Sequence, residues 1–138
     1  MSTVYVFGHQ NPDNDAVMSA VVLAQLLNQV GYEGNEYKAC ALGALPAESA
    51  KLLAEAGIAE PEQIKGVEAG QLVVLTDHNE SSQSVEGLKD ATVLGVVDHH
   101  RIGDFETAAP LHYIALPWGS SCTIVAKLFE VLDQELTD

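Results

Sequence analysis

Positive charge is scarce in this sequence of 138 residues: six lysines and arginines stand against twenty aspartates and glutamates, a formal net charge of −14. That balance repels phosphate backbones and anionic headgroups, so neither nucleic-acid nor membrane binding is expected of the chain unaided. A phosphorylated small molecule stays within reach only if bound cations, or basic residues from another segment, supply the missing charge. Cysteine is sparse too. Cys40 and Cys122 each sit in an apolar run, far from any CxxC pair, which argues against a thiolate zinc cage and suits a reducing compartment. No apolar run reaches the ~18 residues of a spanning helix; the longest, residues 17–27, is broken by Ser19 and Gln25. The apolar start at Thr3-Val4-Tyr5-Val6-Phe7 is too short for a signal-peptide core and has no basic flank. A cytoplasmic protein is the expectation. Aromatic residues make up only 6%, and Tyr5, Tyr37, Phe105 and Trp118 read as core or surface groups and not as ligand platforms.

What is plentiful is aliphatic material, 47% of residues being hydrophobic, enough for one core without disulfides. Val4-Tyr5-Val6-Phe7 reads as a buried strand, followed by a helix over residues 16–30 that Asn14-Asp15 caps and Gly31 stops. Strands are expected at residues 37–42, 72–76 and 92–97, and an edge strand at 111–116 between Pro110 and Pro117. Amphipathic spacing predicts helices over 47–56 and 121–132. Residues 60–70 read as a loop, and the polar residues 133–138 as a frayed tail or a linker. Strands alternating with helices predict an α/β domain, its central sheet mostly parallel, with helices on both faces.

Three of these strands run into ionisable clusters: His9-Gln10-Asn11-Pro12-Asp13-Asn14-Asp15, Asp77-His78-Asn79-Glu80 and Asp98-His99-His100-Arg101. In a parallel sheet the carboxyl ends share one edge, where ligands bind. Four of the five histidines therefore meet four aspartates. Carboxylates at that density repel one another unless some are protonated or cations lie among them. A set of imidazoles and carboxylates without thiolate points to Mn²⁺, Co²⁺ or Mg²⁺, and histidine weights it toward the first two. Two ions sharing an aspartate would suit hydrolysis of a phosphoanhydride or phosphoester. Taken singly, each piece has an ordinary use: His9 as a loop histidine, Asp13 and Asp15 as turn and capping residues, His112 as a strand residue. Gly119-Ser120-Ser121 reads as a helix cap, although free N–H groups there could hold an anion.

The three motifs together resemble the DHH phosphoesterase superfamily, and within it the chain is most similar to the family II, manganese- or cobalt-dependent, inorganic pyrophosphatases. The likeness extends through Ile102 and Phe105-Glu106-Thr107-Ala108. The exonucleases and nucleotide phosphodiesterases of the superfamily tend to carry Pro-Asp-Gly-Asp where this chain has Pro12-Asp13-Asn14-Asp15. The resemblance implies a Rossmann-like DHH domain and hydrolysis of pyrophosphate by a water lying between two divalent ions. It places His9 and Asp13 on one ion, Asp15 and His99 on the other, and Asp77 across both. His100, with Arg101 and Asn79, would face the substrate, and Asp98 and His78 would support the ligands. Mn²⁺ or Co²⁺ is the implied cofactor, Mg²⁺ a third option, and a homodimer the implied assembly.

Members of that family also carry a C-terminal substrate-binding domain with a basic Ser-Arg-Lys-Lys-type motif and a further metal-binding aspartate, neither found in residues 1–138. The expectation is therefore the metal-binding catalytic domain, weakly active or inactive alone. The alternatives are a DHH-type phosphodiesterase acting on nucleotides and a non-catalytic module for metal binding and dimerisation.

Overall fold

Val4, Val6, Val73 and Leu75 are fully shielded from solvent, the mark of strands covered on both faces. The computed structural model describes residues 2–132, and the tail expected at 133–138 lies outside them. The strands are β1 (Thr3–Phe7), β2 (Glu36–Ala41), β3 (Glu62–Gln63), β4 (Leu72–Thr76), β5 (Thr92–Asp98) and β6 (His112–Ala115). Among the described residues three α-helices accompany them: α1 (Asn14–Val30), α2 (Ala47–Ala56) and α3 (Ser121–Val131). All strand pairs are parallel, in the order β3-β2-β1-β4-β5-β6. The short β3 lies inside the stretch expected to be a loop, and β6 is an edge strand as anticipated.

The α/β class and the parallel sheet follow the expectation; the covering of the sheet differs from it. One face, through Val4, Val6, Val74 and Val97, packs on Leu23 and Leu26 of α1 and on Ile124 and Phe129 of α3. Helix α2 sets Leu53 against Val17 and Val21 of α1. The opposite face, through Phe7, Cys40, Val73, Leu75 and Val96, is covered by Val85, Ile64, Val67, Leu88 and Phe105, and none of the residues in this cluster belongs to an α-helix. Helices were expected on both faces. Irregular segments replace them here because their backbones satisfy each other: Val67 N–H donates to Glu86 O, Glu86 N–H to Lys65 O and Gly70 N–H to Asp90 O.

Chain direction across the sheet reverses between β1 and β4, the place where doubly wound sheets open a crevice for ligands. The chain leaving β1 turns tightly into α1. A side chain at Gly8 would put its Cβ 2.6 Å from both the Cβ and the carbonyl oxygen of Ala16. The helix is capped by Asp13, whose carboxylate accepts from Ala16 N–H at 2.9 Å, one position earlier than expected. Asp15 is thereby left free for other use.

Candidate metal centre

Asp77 is the first residue beyond β4 and takes a left-handed backbone, φ +61°. Non-glycine residues pay for that conformation, aspartate less than most. Its N–H donates to Val97 O on β5, and its side chain is 2% exposed with the two oxygens facing different ways. Oδ2 lies 3.2 Å from Nε2 of His9, and Oδ1 lies 2.8 Å from Nε2 of His99. Burial raises the carboxyl above its ordinary pKa, the hydrogen bond from His9 pulls it down, and the charge of Asp15 pushes it up again.

The imidazoles are oriented from behind. His9 Nδ1 lies 2.7 Å from Gln10 O, and His99 Nδ1 lies 3.1 Å from Trp118 O. Carbonyls only accept, so both Nδ1 atoms carry hydrogen and both Nε2 atoms face the carboxylates. The hydrogen bond to Asp77 is the main reason that the pKa of His9 rises to about 9, against the opposing effect of burial.

Asp13 sits 3.7 Å from His9 Nε2 through the same oxygen that caps α1. Asp15 lies 3.6 Å from His99 Nε2 and accepts from Ser121 N–H and Cys122 N–H, each at 2.9 Å. The free amides of the helix start do hold an anion: the chain's own Asp15, while Ser120 caps α3 through Thr123 N–H. Burial works to raise the Asp15 pKa, but the two backbone amides outweigh it and the net shift is downward.

The other four residues expected as ligands, His9, Asp13, Asp15 and His99, thus lie around the Asp77 carboxylate. Asp98 is fully buried and takes His100 Nδ1 at 2.8 Å together with the N–H groups of His99 and His100. Burial would raise its pKa, yet these bonds and the amide of Asn79 bring it below the ordinary value.

His78 contacts none of the ligands in its hydrogen bonds. Its Nδ1 donates to Thr76 O and its Nε2 accepts from Ser84 Oγ, both at 2.8 Å. Burial holds it neutral, with a pKa down at about 4. It therefore secures the loop at Ser84, a role its neighbours in sequence gave no sign of. Asn79 is 2% exposed and spends its amide on Asp98 and the loop at 101–103. Arg101 is exposed and lies 3.4 Å from Glu80. His112 bonds Tyr32 at 2.5 Å, away from these motifs, in keeping with its ordinary reading. Ser121 and Ser84 went unrecognised from sequence as site residues; the Gly-Ser-Ser helix start was the one legible hint.

The donor set fits divalent cations. Two groups of nitrogen and oxygen donors, His9-Asp13-Asp77 and Asp77-Asp98-His99-His100, have ligand atoms within 4.8 Å of one another and share Asp77. Beside them runs a groove of about 790 Å³ lined by His9, Asn11, Asn79, Glu80, His100 and Arg101 among others.

Comparison with known proteins agrees. The family model described as the DHH family, N-terminal domain, matches residues 3–138. The chain is 43% identical over 130 residues to a protein of Staphylococcus epidermidis named "Probable manganese-dependent inorganic pyrophosphatase", covering 94% of this chain and 41% of that one. A Streptococcus agalactiae protein of the same name is 45% identical over 132 residues, with 94% and 42% covered. A solved Methanococcus jannaschii structure, named for the family II inorganic pyrophosphatases, superposes with a TM-score of 0.81 at 36% identity, over 93% of this chain and 39% of that one. An exopolyphosphatase-related protein of Bacteroides fragilis shares the fold, with a TM-score of 0.59 at 18% identity over 95% of this chain and 39% of that one. The chain spans about two fifths of the length of the relatives it matches.

Proposed function

The chain belongs to the DHH family, and we propose that it forms the metal-holding part of an enzyme that hydrolyses inorganic pyrophosphate to two phosphates. The observation that carries this is the divided Asp77 carboxylate, one oxygen facing His9 and the other His99. His9 and Asp13 would hold one cation, Asp15 and His99 a second, and Asp77 would belong to both. Manganese is named in the relatives; Co²⁺ and Mg²⁺ suit the same donors. Such ions, when bound, neutralise phosphoryl oxygens and acidify a water enough to attack at neutral pH.

The chain's own groups do the rest. Asp98 anchors His100 by Nδ1, which leaves Nε2 as the nitrogen through which the ring can pass a proton to or from a phosphate oxygen. Asn79 and Glu80 shape the wall from which Arg101 meets the anion. Among the residues lining the groove Arg101 is the one lysine or arginine, and this supports a second, C-terminal substrate-binding domain in the same protein as the source of further positive charge. Among the described residues no strand pairs with the outer edge of β6, and this edge, with an apolar groove of Leu26, Val30, Ile114 and Leu128 beside it, supports a homodimer. Two free thiols support a reducing, cytoplasmic setting; among the described residues no helix is long and apolar enough to cross a membrane.

Phosphate release from pyrophosphate in Mn²⁺ buffer tests the reading. Weak turnover is expected from residues 1–138 alone and faster turnover when a C-terminal domain is joined to them. Cleavage of a dinucleotide in place of pyrophosphate would move the chain to the phosphodiesterase branch. Failure of calorimetry to detect Mn²⁺ binding would remove the basis of either.

A further inference from the structure

We infer that Asn79 is a positioning residue that acts through Asp98 to hold the His100 ring in the groove and away from Asp77. Asn79 is buried, and its whole amide is engaged. Oδ1 accepts from Gly103 N–H at 2.7 Å, while Nδ2 donates to Arg101 O at 2.8 Å and to Asp98 Oδ2 at 2.9 Å. The Gly103 N–H can only donate, which fixes which end of the amide faces Asp98.

Asp98, itself fully buried, receives the Asn79 amide on Oδ2 and three donors on Oδ1: His99 N–H, His100 N–H and His100 Nδ1–H. With both oxygens engaged the carboxylate cannot turn, and Nδ1 of His100 stays at 2.8 Å from it. A rival acceptor stands close by, Oδ1 of Asp77, 3.7 Å from the same nitrogen. Loss of the Asn79 donor would leave Asp98 Oδ2 buried without a partner. The Asp98 carboxylate would reorient, and His100 would turn toward Asp77, leaving the groove and competing with a cation for that oxygen. The contact between Ser81 and Asp104 joins the same two loops without touching Asp98, so it serves as a control.

This inference rests on the reading of His100 as a substrate-facing group, but its test reads the ring and the metal site directly. In the 138-residue chain, long-range proton–nitrogen correlation spectra should show neutral His100 with its hydrogen on Nδ1, and Asn79→Ala should mix the two tautomers while Asp104→Asn leaves them unchanged. By calorimetry, Asn79→Ala should weaken Mn²⁺ binding about 10-fold, roughly what one hydrogen bond from His100 to Asp77 would take from the cation. The same substitution made in a His100→Ala background should change the affinity less than about 2-fold, because the competitor is gone. An Nε2–H tautomer in the unsubstituted chain, an unchanged tautomer in Asn79→Ala, or a loss of affinity that persists without His100 would each overturn the inference. Should Asn79→Ala fail to fold, Asn79→Ser removes the fork with a smaller cavity and is read by the same criteria. Absence of pyrophosphate hydrolysis alongside these tautomer results would count against the proposed activity and leave the positioning role standing.

Discussion

The carboxylate of Asp15 accepts a hydrogen bond at 2.9 Å from the backbone N–H of Ser121, a residue 106 positions later, and the next amide, Cys122, takes its other oxygen. A residue expected as a metal ligand is thus also the pin between the starts of α1 and α3. Hydrogen bonds to a charged group contribute roughly 1.5–3 kcal/mol each. Asp15→Ala should therefore cost about 3–6 kcal/mol with EDTA present, whereas Asp13→Ala, which loses a helix cap, should cost about 1 kcal/mol. Urea unfolding of both variants decides it; equal losses would show that the pin contributes nothing beyond capping.

From the divided carboxylate of Asp77 we expect cation binding to depend on this residue most. At a free Mn²⁺ concentration a hundredfold above Kd, the unsubstituted chain should gain about 2.7 kcal/mol. Asp77→Asn keeps a residue tolerant of the left-handed backbone but should abolish the gain, while His100→Ala should keep most of it. Thermal melts with and without Mn²⁺ measure both, and an equal loss in the two variants would mean that Asp77 is not the shared ligand.

His9 makes the EDTA-treated chain sensitive to alkali. Its folded pKa is raised to about 9 by Asp77, above the unfolded value of about 6.5. The stabilisation is therefore complete below pH 6.5 and is lost as pH rises through 9, on the order of 2 kcal/mol. Cys40, pushed up to about 11 by burial, has the same sign and extends the decline to higher pH. Saturating Mn²⁺ should remove the first part of the decline, because a bound cation needs His9 without its second proton. Denaturant unfolding from pH 6 to 10 checks this, and a flat EDTA profile between 6.5 and 9 would contradict it.

Glu80 neutralises Arg101 across 3.4 Å at the rim of the groove. It lies over Gly103, where a Cβ would fall 2.7 Å from the Glu80 carboxyl carbon. Any anion must compete with that carboxylate for the guanidinium. An exposed pair contributes at most about 1 kcal/mol, so Glu80→Gln should tighten inorganic phosphate binding by up to about 5-fold in the Mn²⁺-loaded chain. Calorimetric titration with phosphate reads the effect; weaker binding in the variant would show that Glu80 supports Arg101 and does not restrain it.

Much of this was legible because strands and helices announce themselves by period. Helix α2 spans the same ten residues that amphipathic spacing marked, and β4 the same five. The gathering of His9, Asp77 and His99 followed from parallel strands ending at one edge. What escaped were contacts made by irregular backbone, which has no period to read. His78 stands next to Asp77 in sequence, yet the turn aims its ring at Ser84. Asn79, which the resemblance puts at the substrate, does line the groove, but no period in the sequence showed that its amide meets Gly103, 24 residues away, and Asp98, 19 away. The loops covering the second face of the sheet hid for the same reason: Ile64, Val67, Val85 and Leu88 belong to one cluster, yet they come as two lone pairs in polar stretches too short to show a period.

The clasp of α3 on Asp15 also sets an order of events during synthesis. His9, Asp77 and Asp98 can all be in place once β5 has joined the sheet, but the carbonyl that orients His99 comes from Trp118 and the amides that steady Asp15 come from Ser121 and Cys122. A nascent chain stalled before that point would have the strands of the site without its second carboxylate anchored, and would hold one cation more firmly than the other. Full loading would then report that α3 has docked, coupling cation binding to the packing of that helix on α1.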